Sequence, residues 1–218
     1  MERRNSQSFV KTVIDFNLSE NPAGKDVRIS GYQKNHIMNT AQSLRKLYFL
    51  RAAFSILWII LLSVFLKTNP AVARILFIIY PAWDVFATWL DIKANPTYVK
   101  KTPQYVNAVI GILTTVGVAL ALQDGVPQAL MVFGIWAIVT GLIQLILGLR
   151  RRSELGGQWP MIISGGQSML AGVAFILLAH SPTMGINSLV GYSAFGAFYY
   201  LVSAIRLSKV KRADQQTT

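Results

Sequence analysis

The stretch from Ala52 to Tyr80 reads AAFSILWIILLSVFLKTNPAVARILFIIY, two apolar runs divided by Asn69-Pro70, and its reading decides the fold. A helix needs about 20 apolar residues to cross the hydrocarbon core of a bilayer, and both runs extend outward far enough to do so. Proline has no N–H to offer a helix interior, but it is well suited to a turn or to the first turn of the next helix. Pro70 therefore reads as the tip of a membrane hairpin, opening the helix that follows. The arrangement returns at Pro127 and Pro182. Applying the length rule along the chain predicts six spans, at roughly 45–66, 70–92, 103–123, 126–149, 159–180 and 184–207. The expected fold is all-α: a polytopic membrane protein whose six transmembrane helices form three tandem hairpins, about 45–93, 103–150 and 159–207, within a domain at 44–209. An N-terminal arm (1–43) and a short tail (210–218) flank it.

Composition and charge support the same reading. Hydrophobic residues make up 53% of the chain and charged residues 14%, which is not the balance of a water-soluble domain. Of the 21 Lys and Arg, only Lys67 and Arg74 fall on the side of the proline turns; nine lie between Arg3 and Arg51, and the rest lie between the hairpins and at the C-terminal end. The positive-inside rule then predicts cytoplasmic termini and external proline turns. The net charge of +12 reads as a topology signal that also attracts anionic lipid head groups on the cytoplasmic side. It does not suggest nucleic-acid binding, because the basic residues are scattered and lack an aromatic stacking platform. More than forty polar or mixed residues precede the first apolar run, so the first span is expected to be an uncleaved anchor. The chain has no cysteine, which excludes disulfides, thiolate metal sites and cysteine nucleophiles. A bacterial plasma (inner) membrane suits such a chain best.

Aligning the chain on the three prolines exposes a repeat. Gly111 and Gly166 stand sixteen residues before Pro127 and Pro182, and Gly117 and Gly172 stand ten before. The first repeat has Phe54 and Ile60 at those offsets. Fourteen residues after the prolines come Asp84, Gly141 and Gly196, and the second helices end on Lys93, Arg150 and Arg206.

The proline hairpin, the stretch Gly134-Ile-Trp-Ala-Ile-Val-Thr-Gly141-Leu-Ile-Gln144, and the endings Leu-Gly-Leu-Arg150 and Ser-Ala-Ile-Arg206 resemble the HdeD-like membrane proteins. The resemblance covers 45–209 and is strongest in the second and third hairpins. It implies a six-span inner-membrane protein with a role in acid resistance, and it carries no residue-level site.

The glycines read first as packing positions, because helices in lipid associate through close backbone approach at small residues. Gly134, Gly141 and Gly148 recur every seven residues down the fourth span, while Ser164, Ser168 and Gly172 recur every four on the fifth. Gly117 with Ala121 continues the pattern on the third, and Gly111, Gly166 and Gly196 complete the set. A seam of this kind also offers a homo-oligomer contact.

Asp84 reads as the one acidic residue deep inside a span. An ionised carboxylate there is costly unless it faces the bundle interior, finds a partner or takes up a proton. It is therefore the leading candidate for a proton-sensing or pathway group, with Tyr80 and Thr88 one turn to either side as hydrogen-bond partners. The plainer reading is a neutral acid that fixes packing. Gln144 and Gln167 in the fourth and fifth spans, and the intermittently polar face of the sixth (Asn187, Tyr192, Ser193, Tyr199, Ser203), could line a solute path or join an ordinary bundle. His180 in the third turn is a weak candidate acid sensor. His36 has no ligand at useful spacing, so neither a metal nor a cofactor is expected.

In the arm, Phe9, Val10, Val13 and Ile14 suggest an amphipathic turn on the lipid surface. Asn21-Pro22-Ala23-Gly24 reads as a break, and Ile37, Met38, Ala41 and Leu44 as a stripe leading into the first span. The chain holds no phosphate loop, nucleophile elbow or paired acids within a span, so no enzyme is expected. Two functions remain: a non-catalytic acid- and stress-resistance protein acting by packing, oligomerisation or partner binding, or a small proton-coupled transporter or channel using Asp84.

Overall fold

The computed structural model describes the backbone of residues 22–94, 101–155 and 158–215, with side chains at 42–93, 101–152 and 158–208. All of its elements are helices: α1 (Pro22–Thr68), α2 (Pro70–Ala94), α3 (Thr102–Asp124), α4 (Val126–Leu155), α5 (Trp159–Leu177) and α6 (Ser188–Gln215). Each contains a segment long and apolar enough to cross a membrane: Gln42–Thr68, Pro70–Lys93, Thr102–Asp124, Val126–Arg152, Trp159–Leu177 and Ser188–Ser208. The chain is a multi-pass, all-helical membrane protein. Contacts divide it into residues 1–39 and 40–218, and the bundle described below belongs to the second unit. Pro22-Ala23-Gly24 forms the first turn of α1 and so does not break the chain as expected; the amphipathic turn expected at Phe9–Ile14 lies outside the described residues.

The turns follow from local chemistry. Asn69 caps α2, its Oδ1 accepting the N–H groups of Ala71 and Val72 at 3.2 and 3.3 Å, and Pro70 takes the first helical position, where no N–H is needed. Gly125 ends α3 at φ +133°, a conformation that disfavours side chains, and Pro127 then lies in the opening turn of α4. Pro182 departs from expectation. It does not open a helix: residues 178–187 form successive turns, with Ser181 N–H donating to Leu178 O and Met184 N–H to Ser181 O, and α6 starts only at Ser188. The last two spans are correspondingly shorter at this end than 159–180 and 184–207.

Trp89 and Trp159 are exposed at the opposite end of the bundle, beneath Lys93 and Arg152, whose cations lie 3.7 and 4.2 Å from the ring centres. Amphipathic aromatics with basic partners mark a membrane–water boundary. We call this the basic end and the other the proline end. The outward faces are apolar, as lipid requires: Leu57, Leu113, Ile135 and Leu177 are all exposed.

The tightest packing lies between α4 and α5. A Cβ on Gly134 would stand 2.7 Å from Gly172 O, one on Gly141 2.7 Å from Gly165 O, and one on Gly148 3.0 Å from Ile162 Cγ1. The seven-residue stripe on α4 is therefore a backbone-to-backbone seam. On α5 the register differs from the one expected. The seam runs through Gly165, Ser168 and Gly172, whereas Gly166 would place a Cβ with nothing within 4 Å and is not a packing glycine. Gly196 is also open, with only Tyr80 Oη at 3.9 Å, while Gly111 and Gly117 do pack, against Val85 and Val132. The closest pair is thus joined at the basic end and not through a proline turn.

The bundle closes on itself. Arg51 of α1 bonds to both α2 and α6, Tyr48 of α1 reaches Gln158 before α5, and Leu44 and Tyr48 pack with Met161, Ala204 and Leu207. A core of Trp58, Phe77, Leu130, Phe133 and Phe175 fills the proline half. The basic half is different.

Candidate functional site: a polar cavity in the bundle

A cavity of about 360 Å³ opens inside the basic half, bordered by all six helices. Its centre is the pair Arg51–Asp84, Nη1 to Oδ1 2.5 Å, with both side chains about 85% buried. Arg51 also donates to Tyr200 Oη at 3.1 Å and to Thr88 Oγ1 at 3.3 Å. From α3, Asn107 Nδ2 donates to Asp84 Oδ2 at 2.8 Å and to Thr88 Oγ1 at 2.9 Å. Four helices therefore meet on one carboxylate and one guanidinium. An isolated charge at this depth is costly, and mutual pairing with further hydrogen bonds offsets that cost.

A second polar layer lies nearer the basic end. Asp91 follows Asp84 by two helical turns and shares its face. Arg151 Nη2 lies 3.2 Å from Asp91 Oδ2, and Gln104 Nε2 donates to the same oxygen at 3.3 Å. Tyr48 Oη donates to Gln158 Oε1 at 3.4 Å beside it. The expectation that Asp84 is the one acid inside a span is thus corrected: Asp91 is 6% exposed and also lies inside the α2 span, where each acid has its own arginine.

Towards the proline end the lining becomes aromatic. Tyr80 packs among Trp58, Phe133, Trp136 and Tyr192, with ring centres 4.6 to 6.2 Å away. Ser168 Oγ donates to Ala137 O at 2.9 Å, so its single proton is used and Tyr192 Oη must donate to it across 2.8 Å.

All six candidate residues reach the cavity wall: Asp84, Tyr80, Thr88, Gln144, Gln167 and Tyr192. Their roles differ from those expected. Thr88 joins Asp84 through shared donors, Arg51 and Asn107, while the Tyr80 ring turns away into the aromatic cluster. Gln144 donates to Met161 O at 3.2 Å, and Gln167 is exposed at the edge of the cavity. His180 stands exposed in its turn, apart from the cavity lining. Among the described residues no group of three or more His, Asp or Glu converges to hold a metal.

Arg51, Asn107, Asp91, Arg151 and Tyr200 were not singled out from sequence. Arg51 carries a signal, since it lies nine residues inside the first span and a buried arginine needs an anion; the positive-inside pattern masks it among the basic residues that set topology. Three polar atoms on lining residues are buried without a hydrogen-bond partner among the described residues: the indole N–H groups of Trp83 and Trp136, and Gln104 Oε1. The wall itself carries two balanced ion pairs, which suits a ligand that adds no net charge.

Comparison with protein-family models, curated proteins and solved structures finds no match to this chain.

Proposed function

We propose that this protein binds a small solute inside its bundle and carries it across the membrane, with Asp84 as the proton-coupled group. The observation behind this reading is that the Arg51–Asp84–Asn107–Thr88 network borders an open cavity of about 360 Å³ and is not sealed by side chains. Ligand sites in helical bundles have this form, a concave space with a few converging polar groups. A proton taken up by Asp84 would cancel its attraction for Arg51 and leave the guanidinium free for Tyr200 or a solute, which makes the pair a two-state element. Cytoplasmic termini in a bacterial inner membrane, inferred from the basic residues, would place the basic end and its cavity on the cytoplasmic side.

A second reading is favoured by the α4–α5 seam, where three α4 glycines, each twice the chain distance that separates neighbouring turns, lock one hairpin to the next. In that reading the protein is a non-catalytic acid- and stress-resistance scaffold, the role implied by the HdeD-like resemblance, acting through packing, oligomerisation or a partner. The two are separated by reconstituting the purified protein in liposomes under an imposed pH gradient. Proton or solute movement that Asp84→Asn abolishes supports the carrier. Identical leak with and without protein contradicts it and leaves the scaffold.

A further inference from the structure

The cavity has a side door. Leu170 on α5 and Phe195 on α6 both line it, yet they are 72% and 62% exposed on the outer surface of the bundle. Gln167, one turn from Leu170, lines it and is exposed as well, although it stands inside a span where a glutamine facing lipid is costly. At 1.5 Å per residue, Leu170 and Asp84 lie about 16 and 14 Å from the basic ends of their spans, so the opening is level with the charged centre. Two features keep it open. Gly196 adds no side chain to the α6 side of the cavity wall, and α5 and α6 are joined by the long turn segment 178–187 and pack far less closely than α4 and α5. An opening at that depth faces hydrocarbon, not water.

We propose that this opening is a lateral portal for a single-chain amphiphile with a zwitterionic head group, whose head enters the cavity while its tail stays in the bilayer between Leu170 and Phe195. The proposal rests on the interior-binding reading above and names the ligand class. The charge balance argues for a zwitterion: the cavity already holds two cations and two anions in pairs, so a head of net charge would be left without a counter-ion, whereas a head carrying both signs matches both pairs. The aromatic wall of Tyr80, Trp136 and Tyr192 suits a quaternary ammonium. The apolar rim provides for the tail.

The test is native mass spectrometry of the full chain in a non-ionic detergent, titrated with lysophosphatidylcholine, with lysophosphatidylglycerol of the same acyl chain, and with glycerophosphocholine, the head alone. The zwitterionic lysolipid should bind about ten-fold more tightly than the anionic one, a difference of about 1.4 kcal/mol. Leu170→Trp, which fills the exposed rim away from the ion pairs, should lower its occupancy about ten-fold with unchanged thermal stability. If that variant fails to fold, Phe195→Trp on the α6 side of the rim provides the same test. Equal or tighter binding of the anionic lysolipid, or wild-type binding by the mouth variants, overturns the portal. Glycerophosphocholine that competes as well as the lysolipid, with binding lost in Trp136→Phe, also overturns the portal but leaves a soluble-solute cavity standing. If none of the three binds, both readings fall.

Discussion

Helix α5 presents two faces one residue apart in register, and they behave in opposite ways. Gly165 and Gly172, with Ser168 between them, press against α4 so closely that a methyl group on either glycine would meet backbone atoms at 2.5 to 2.9 Å. Gln167 and Leu170 border the opening, and an added Cβ on Gly166, beside them on the outer surface, meets nothing within 4 Å. The same residue type thus lies in a dry seam at one position and in open space at the next. A glycine in a membrane helix is not by itself a packing contact, and only its neighbours determine whether a backbone uses the space it leaves.

The contrast between seam and cavity can be broken by substitution. The largest effect is expected at the cavity's charged centre. Arg51→Ala or Asp84→Ala strands a buried charge and should cost about 3–5 kcal/mol in unfolding titrations, while the double variant Arg51→Met/Asp84→Leu should recover much of that loss. If each single variant costs no more than the double, the pair is not a coupled unit. The seam comes next. Gly172→Ala drives its methyl into Gly134 O and Ile138 N, and overpacking of this kind should cost about 1–3 kcal/mol by the same assay. The smallest effect is expected at the open face, where Gly166→Ala should stay within about ±0.5 kcal/mol. A loss at Gly166 equal to that at Gly172 would erase the distinction between the two faces of α5.

Much of this architecture was legible in the chain. Apolar length located the six spans, and Asn69-Pro70 announced both the cap and the first turn of α2. The stripe Gly134, Gly141, Gly148 showed which face of α4 packs, because a seven-residue period keeps one side of a helix in register. The α5 partner was misplaced by one position: aligning the repeats on Pro182 selects Gly166, but the turn at 178–187 is longer than its counterparts and the equivalence does not hold there. Asp84 stood out because a lone acid in a span needs an explanation. Its partners did not, since Arg51, Asn107 and Tyr200 lie on three other helices, and Tyr200 is 149 residues from Arg51. Periodicity shows which face a residue occupies and not what stands opposite. Asp91 was hidden by its nearness to Lys93, which gave that end of α2 the look of an ordinary wet terminus.

The central claim is that the basic half of the bundle encloses a space that a small molecule can enter. The chain has no cysteine, so a single introduced thiol reports without background. Thr140 lines the cavity, while Ala137, one turn earlier on α4, is fully buried and lies beside the seam, its carbonyl held by Ser168. Thr140→Cys and Ala137→Cys, compared in proteoliposomes by their rates of modification with a small polar thiosulfonate, test the claim directly. Reaction at position 140 at least ten-fold faster than at 137 is the expected result. Equal inertness at both positions would mean that the interior is sealed and that the ion pairs serve the fold alone.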